Sequence, residues 1–340
     1  MITPIRKGWL AIAFVVALAL PTSASALLFS SLVIFGDSLS DSGNNAIALP
    51  ALGLPGTTPV PISGNTFIPT LPYASGVYTN DMVWAQTFAS ALGLSAAPSL
   101  AGGTDFAFAG ARTGPIDPAL PQVSTFPPSL LTQEAFFLGA TGGVAPGSAL
   151  YVVAGGGNNA RDALGAIEAN PTPGNISQTI AATAASFAAD IVANVSALEG
   201  AGAKNIVVWD VPDVGKAPAI LADGLGASIL GSTLAAAMNT ALLGAIGGDS
   251  NVKLFDLFGL VDSVVANPGA FGLTNVTDAC AQFVNCNPSQ YFFWDGIHPT
   301  SAGQGILSQA MLRTIPEPAT LALLAIALAG LGFSRRRNPH

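Results

Sequence analysis

The chain has 340 residues, half of them hydrophobic and only 9% charged, with 11 basic against 19 acidic residues and a net charge of −8. That length allows one large domain or two modest ones with ample core. The acidic balance repels phosphate backbones and so excludes nucleic acid as a favoured partner.

At the N-terminus, Arg6 and Lys7 precede an apolar run over residues 8–20, and Ala24-Ser25-Ala26 has the small-x-small form of a signal-peptidase site. This predicts an export signal over residues 1–26 that signal peptidase removes. A retained membrane anchor is the alternative, and the short apolar core favours cleavage. The next element is the apolar run 32–35, a buried strand, which hands over to Gly36-Asp37-Ser38-Leu39-Ser40-Asp41-Ser42-Gly43-Asn44. Ser38, at the strand end and the start of a helix, has its hydroxyl presented at the sheet edge. Capping is the competing role for Ser38, and turn or cap roles are assigned to Ser40 and Ser42. Asp37 and Asp41 invite a metal site, but no third carboxylate or histidine stands near them in sequence, so no metal is expected.

Residues 46–78 are rich in Gly, Pro and Thr and are expected to form a long loop near a site mouth, as is the stretch 110–128. A helix is predicted over 82–92. Apolar runs follow at 106–108, 150–153, 206–209 and 252–255, with Ala- and Leu-rich helices predicted over 178–198 and 227–246. Uninterrupted apolar strands alternating with helices predict a parallel sheet covered on both faces. The expected architecture is an α/β three-layer αβα sandwich around a mostly parallel five-stranded sheet, with the site beyond the carboxyl ends of the strands.

Late in the chain, Cys280 and Cys286 are the only cysteines. In an exported protein this favours a local disulfide over a zinc site, which two thiols without a nearby histidine leave incomplete. Trp294-Asp295-Gly296-Ile297-His298-Pro299-Thr300 holds the only histidine apart from the terminal His340. A serine hydroxyl needs a base to become a nucleophile, and histidine titrates in the right range. His298 is therefore the candidate base for Ser38, and a single turn can bring Asp295 beside it.

The C-terminus reads Pro316-Glu317-Pro318, then an apolar run over 319–333, then Arg335-Arg336-Arg337. Fifteen apolar residues are short for a spanning helix, which takes about 17–25. The three parts in this order resemble the PEP-CTERM sorting signal of exopolysaccharide-producing Gram-negative bacteria. The resemblance implies transient membrane association, then recognition and removal by an exosortase, of a tail over residues 316–340. A retained anchor is the alternative. Five basic residues and one acidic residue lie in the two ends, which leaves 6 basic and 18 acidic residues and a net charge of −12 between them.

Gly36-Asp37-Ser38-Leu39 resembles the first block of the GDSL, or SGNH, hydrolase family, in its longer lipase and esterase branch. Gly103-Thr104-Asp105-Phe106-Ala107-Phe108-Ala109-Gly110-Ala111 is similar to the second block, with its glycine at Gly110. Gly155-Gly156-Gly157-Asn158-Asn159 is similar to the third, with its asparagine at Asn158. Asp295 and His298 match the fourth, D-x-x-H. The resemblance spans residues 31–313 and implies a hydrolase domain over 27–315, a flavodoxin-like topology, and no cofactor. It implies Ser38, Asp295 and His298 as catalytic residues and Ser38, Gly110 and Asn158 as an oxyanion hole. Preorganised donors of that kind suit acyl transfer, and losing one commonly costs about 2.7–4 kcal/mol. Asp105 stands where the family usually has asparagine, and Asn159 where it usually has aspartate; retuned loop hydrogen bonding is expected there.

The expected function is an exported serine ester hydrolase acting on small-molecule or lipid esters at the cell surface or in the extracellular matrix. Acetyl esters of an exopolysaccharide are an alternative substrate. A non-catalytic surface or matrix binding protein that keeps the fold is an alternative from another class, and a peptidase is a weaker one.

Overall fold

Three buried strands and a half-buried edge strand form the centre of the protein. The computed structural model describes residues 28–53, 73–74, 76–115 and 126–315. In chain order the elements are β1 (Leu32–Gly36), α1 (Asn44–Ala51), α2 (Trp84–Ala91), α3 (Leu130–Ala140), β2 (Leu150–Ala154), α4 (Gly157–Ala169) and α5 (Pro173–Gly200). Then come β3 (Asn205–Trp209), α6 (Pro218–Ala222), α7 (Leu225–Ile246), β4 (Val252–Phe255), α8 (Leu257–Ala266), β5 (Asn275–Ala279), β6 (Tyr291–Phe293) and α9 (Ser301–Thr314).

The sheet runs in the order β1-β2-β3-β4, all parallel, with Leu32 opposite Leu150, Leu150 opposite Asn205, and Ile206 opposite Val252. Alternate side chains divide between two cores, as period-two geometry requires. Leu32, Ile34, Val152, Val207 and Trp209 pack on one face against Trp84 and Phe88 of α2, Val261 of α8, and Leu307 and Met311 of α9. Val33, Phe35, Tyr151, Val153 and Val208 pack on the other against Leu130 of α3, Phe187 and Ile191 of α5, and Leu234 and Met238 of α7. The result is the three-layer sandwich.

The expected fifth strand is present in reduced form. Ile34 N–H donates to the Thr104 carbonyl (3.1 Å), and Phe106 and Phe108 N–H donate to the Ile34 and Gly36 carbonyls (2.8 and 3.1 Å). This places residues 104–108 alongside the free edge of β1. The segment stops short of a regular strand because polar side chains take its outer groups. Asp105 Oδ1 accepts from Ala107 N–H, and the Asn44 amide donates to the Asp105 and Ala107 carbonyls. With that edge counted, the strand order becomes 2-1-3-4-5, and its switch point falls between β1 and β2, where such folds place their sites.

Two expectations are corrected. Ser38 lies on a turn and not at a helix start: Ser40 and Asp41 N–H both return to the Asp37 carbonyl (3.0 Å each), and α1 begins only at Asn44. The expected loop over 46–78 begins as the end of α1. Residues 54–72 and 116–125, the middles of the two predicted loops, lie outside the described residues, as do the expected export signal over 1–26 and sorting tail over 316–340.

Candidate active site

β1 ends at Gly36, where a Cβ would meet the Ala154 carbonyl oxygen and the Ser40 hydroxyl at 2.9 Å each. Only glycine lets the ends of β1 and β2 approach this closely. The Gln133 side chain of α3 then grips the peptide, accepting from Gly36 N–H and donating to its carbonyl (2.8 Å each). Beyond that grip the chain turns, and Ser38 projects at the carboxyl edge of the sheet.

Some 260 positions later, Trp294 N–H bonds the His298 carbonyl (2.7 Å) and closes a tight loop. Asp295 Oδ1 accepts from Ile297 and His298 N–H (2.8 and 2.7 Å), and its Oδ2 lies 2.6 Å from His298 Nδ1. His298 Nε2 lies 2.8 Å from Ser38 Oγ. Ser38 and His298 are each 7% exposed and Asp295 1%. The other two serines of the block face elsewhere: Ser40 Oγ accepts from Trp84 Nε1 (3.1 Å), and Ser42 is buried with its N–H on Asp105.

Burial alone pushes the Asp295 carboxyl up. The charge of His298, hydrogen bonds from its ring and backbone, and one from Tyr73 overcome this and hold the group below its ordinary value. Asp37, beside Ser38, is pushed up to about 6 by burial, against the pull of Leu39 N–H and of the His298 and Arg161 charges. Asp41 is committed to the backbone, accepting from Gly43, Asn44, Asn45 and Ala109 N–H. No cluster of three His, Cys, Asp or Glu that could hold a metal occurs among the described residues.

Ser38, Gly110, Asn158 and His298 line one cleft. Gly110 has φ +84°, a left-handed conformation that a side chain disfavours, and a Cβ there would meet Pro127 at 3.3 Å. Asn158 sits in the first turn of α4, which Gly156 opens at φ +114°. Its Nδ2 donates to the Ala111 carbonyl (2.9 Å), which leaves a second N–H free. The cleft continues on the other side of Ser38 along an apolar wall of Leu39, Val214, Ala217, Ile220, Val261 and Ile297.

The two departures from the family pattern both make loop hydrogen bonds. Buried Asp105 accepts from Ser42 and Ala107 N–H. Asn159 accepts from Thr113 N–H and donates to the Thr113 hydroxyl. Cys280 and Cys286 are bonded as a disulfide in the connection between β5 and β6, and Cys280 packs on Trp294.

Sequence reasoning did not single out Gln133, Tyr73 or Arg161. The Tyr73 hydroxyl donates to Asp295 Oδ2 (2.5 Å), and the rings of Tyr73 and Tyr78 pack on the His298 ring at 6.3 and 5.5 Å. Tyr73 sits in a stretch without periodicity, so nothing local marks it. Arg161 Nη1 donates to Asn158 Oδ1 (3.1 Å); the two are i, i+3 neighbours on α4, a helix that was not among the expected ones.

The family model for GDSL-like Lipase/Acylhydrolase matches residues 32–311. The model for the PEP-CTERM protein-sorting motif matches residues 314–337. An uncharacterized protein in the trpE-trpG intergenic region of Pseudomonas putida is 28% identical over 326 residues, covering 87% of this chain and 50% of its own. Esterase EstA of Pseudomonas aeruginosa is 29% identical over 359 residues, covering 95% of this chain and 52% of its own. The chain thus spans about half the length of these relatives. Among solved structures, the lipase/acylhydrolase from Enterococcus faecalis is 14% identical with a TM-score of 0.38, covering 83% of this chain and 93% of that one.

Proposed function

Because the chain belongs to the GDSL-like lipase/acylhydrolase family, we propose that it is an exported serine ester hydrolase that forms an acyl-enzyme at Ser38. The observation that carries the reading is the contact of Ser38 Oγ with His298 Nε2, backed by His298 Nδ1 on Asp295. His298 takes the Ser38 proton as the hydroxyl attacks the ester carbonyl, and returns it to the leaving alcohol. Asp295 holds the ring so that Nε2 faces Ser38, and stabilises the imidazolium that forms. The negative oxygen of the tetrahedral intermediate is met by the Ser38 and Gly110 N–H groups and by the free N–H of Asn158. Water, activated by the same histidine, then releases the acid. No cofactor enters this cycle.

The apolar wall beside Ser38 favours a substrate whose acyl chain is hydrocarbon over one carrying only an acetyl group. Export is supported by the PEP-CTERM motif, with an exosortase as processing partner and transient membrane association through residues 316–340.

Hydrolysis of p-nitrophenyl butyrate tests the mechanism. Ser38→Ala and His298→Ala are each expected to abolish it, and a fluorophosphonate probe is expected to label the native protein at Ser38 alone. Turnover retained in both variants would sink the reading. A protein that folds but is neither labelled nor active would instead be the non-catalytic binder.

A further inference from the structure

Residues 27–315 contain three arginines, Arg112, Arg161 and Arg313. Two of them contact the groups proposed to receive the oxyanion, and Arg161 also lines the cleft beside Ser38 and His298. Arg161 Nη1 donates to Asn158 Oδ1 (3.1 Å), and Arg112 Nη1 donates to the Gly110 carbonyl (3.1 Å). In a body with net charge −12, this concentration of cations at one spot calls for a local reason.

The reason lies in the symmetry of an amide. The two ends of the Asn158 side chain have nearly the same shape, and only one end can donate to an oxyanion. Its surroundings remove the ambiguity. The Ala111 carbonyl can only accept, and so selects the NH2 end; the Arg161 guanidinium can only donate, and so selects the oxygen end. With one Nδ2 proton on Ala111, the second is left for the cleft.

Arg161 makes no direct ion pair among the described residues, although it lies within the electrostatic reach of Asp162, Asp295 and Asp37. Its neighbour Asp162 is taken in a two-pronged pair by Arg112, Nε to Oδ2 at 2.5 Å and Nη2 to Oδ1 at 2.8 Å. Arg161 Nε is buried with no hydrogen-bond partner. The same Arg112–Asp162 pair ties the chain just after Gly110 to α4, where Asn159 also grips Thr113. The two arginines thereby join the glycine-bearing loop and the asparagine-bearing helix into one unit.

From this geometry we infer that Arg161 is a positioning residue of the oxyanion hole. It fixes the Asn158 amide with Nδ2 toward the reacting carbonyl, and its charge strengthens that donor through the amide dipole. Arg112 plays the matching part for the Gly110 loop. The inference rests on the acyl-enzyme reading above.

The test is a kinetic comparison of the full chain with Arg161→Gln, Arg161→Lys, Asn158→Ala and the double variant Asn158→Ala/Arg161→Gln. Each is assayed with p-nitrophenyl butyrate and with an alkyl trifluoromethyl ketone, which forms a tetrahedral oxyanion on a serine. Arg161→Gln is expected to lower kcat/KM on the order of ten- to a hundredfold, less than the loss from deleting a donor outright. KM should stay near the native value, and the ketone Ki should rise by the same factor as kcat/KM falls. Arg161→Lys keeps the charge without the fork and should fall between the two. In the Asn158→Ala background, Arg161→Gln should cost less than threefold, because the group it acts through is gone. The exposed Lys253→Gln variant controls for net charge and should match the native protein.

Additive losses in the double variant, or a kcat loss with unchanged ketone affinity, would overturn the inference. If the glutamine variant fails to fold, native-like kinetics in Arg161→Lys together with an unchanged ketone Ki would overturn it as well. A native protein that the fluorophosphonate probe labels, beside an indifferent Arg161, would refute this inference alone. An unlabelled native protein would bring down the acyl-enzyme reading and this inference with it.

Discussion

Asp295 Oδ2 is shared between His298 Nδ1 and the Tyr73 hydroxyl, while its Oδ1 takes two backbone amides. The carboxylate therefore cannot rotate without breaking several contacts, and that fixes the imidazole opposite Ser38. Asp295→Asn puts an NH2 group where an acceptor is needed, and selects the wrong tautomer of His298. Under the proposed mechanism kcat should fall about 10⁴-fold with KM little changed, as steady-state kinetics on p-nitrophenyl butyrate would read. A loss below tenfold would remove Asp295 from the machinery. Gly110→Ala makes a second residue-scale case. Its φ of +84° and the 3.3 Å approach to Pro127 give an expected stability loss of about 1–2 kcal/mol, measurable by chemical denaturation, beside a fall in kcat. The residues in direct contact with one another were legible in sequence because their types are scarce: a chain with one internal histidine leaves little choice of base. The supports were not. Gln133 on α3, Arg161 on α4 and Tyr73 outside any helix or strand act through hydrogen bonds from three separate parts of the chain, and a glutamine or tyrosine carries no mark of its partner until the chain has folded.

Between the single residue and the sheet, legibility followed hydrophobic continuity. The runs at 32–35, 150–153 and 206–209 became β1 to β3 because a strand buried on both faces is apolar at nearly every position, whereas 252–255 became the edge strand β4, with Lys253 exposed between buried Val252 and Phe255. Residues 104–108 read less clearly, since an edge segment pinned by Asp105 and Asn44 needs no regular ladder. The turn at Ser38 was missed for a related reason. Asp37 and Asp41 satisfy the local amides with their own atoms and so postpone α1 to Asn44. Asp, Ser and Asn favour either a cap or a turn, and composition does not decide between them. The 280–286 disulfide closes a short loop between β5 and β6, beside Trp294 and just ahead of His298. Chain-entropy arguments give such a loop about 2 kcal/mol, so in a domain of this size replacing both cysteines with serine should lower the melting temperature by roughly 3–4 °C. Activity at 25 °C should drop as well if the staple steadies the His298 loop. Melting and turnover both unchanged would show that the bond supports neither.

At the scale of the whole molecule, the sandwich and its switch point were legible, and the electrostatic character of the interior was not. An acidic chain with few charges still buries several carboxyls. Glu134 on α3 is 2% exposed, its Oε2 has no hydrogen-bond partner, and burial pushes its pKa up to about 8. Burial likewise pushes Asp210 up to about 7, against hydrogen bonds from Leu257 and Phe258 N–H. In each case the folded protein holds a proton that the unfolded chain gives up. Stability from these groups is therefore fully present below their ordinary values and is lost as pH rises through the folded ones. Asp295 works in the opposite sense: its lowered value withdraws stability only as pH falls below the ordinary carboxylate range. The unfolding free energy should accordingly be greatest in mildly acidic solution and decline toward pH 8. For Glu134 alone, linkage puts the decline from pH 5 to pH 8 at about 3 kcal/mol. Glu134→Gln has the shape of the neutral acid and nothing to titrate, so it should remove that share of the slope while leaving stability near pH 5 almost unchanged. Urea denaturation of both proteins at pH 5 and pH 8 reads the difference directly. Parallel slopes would mean that Glu134 reaches water or a partner when it ionises.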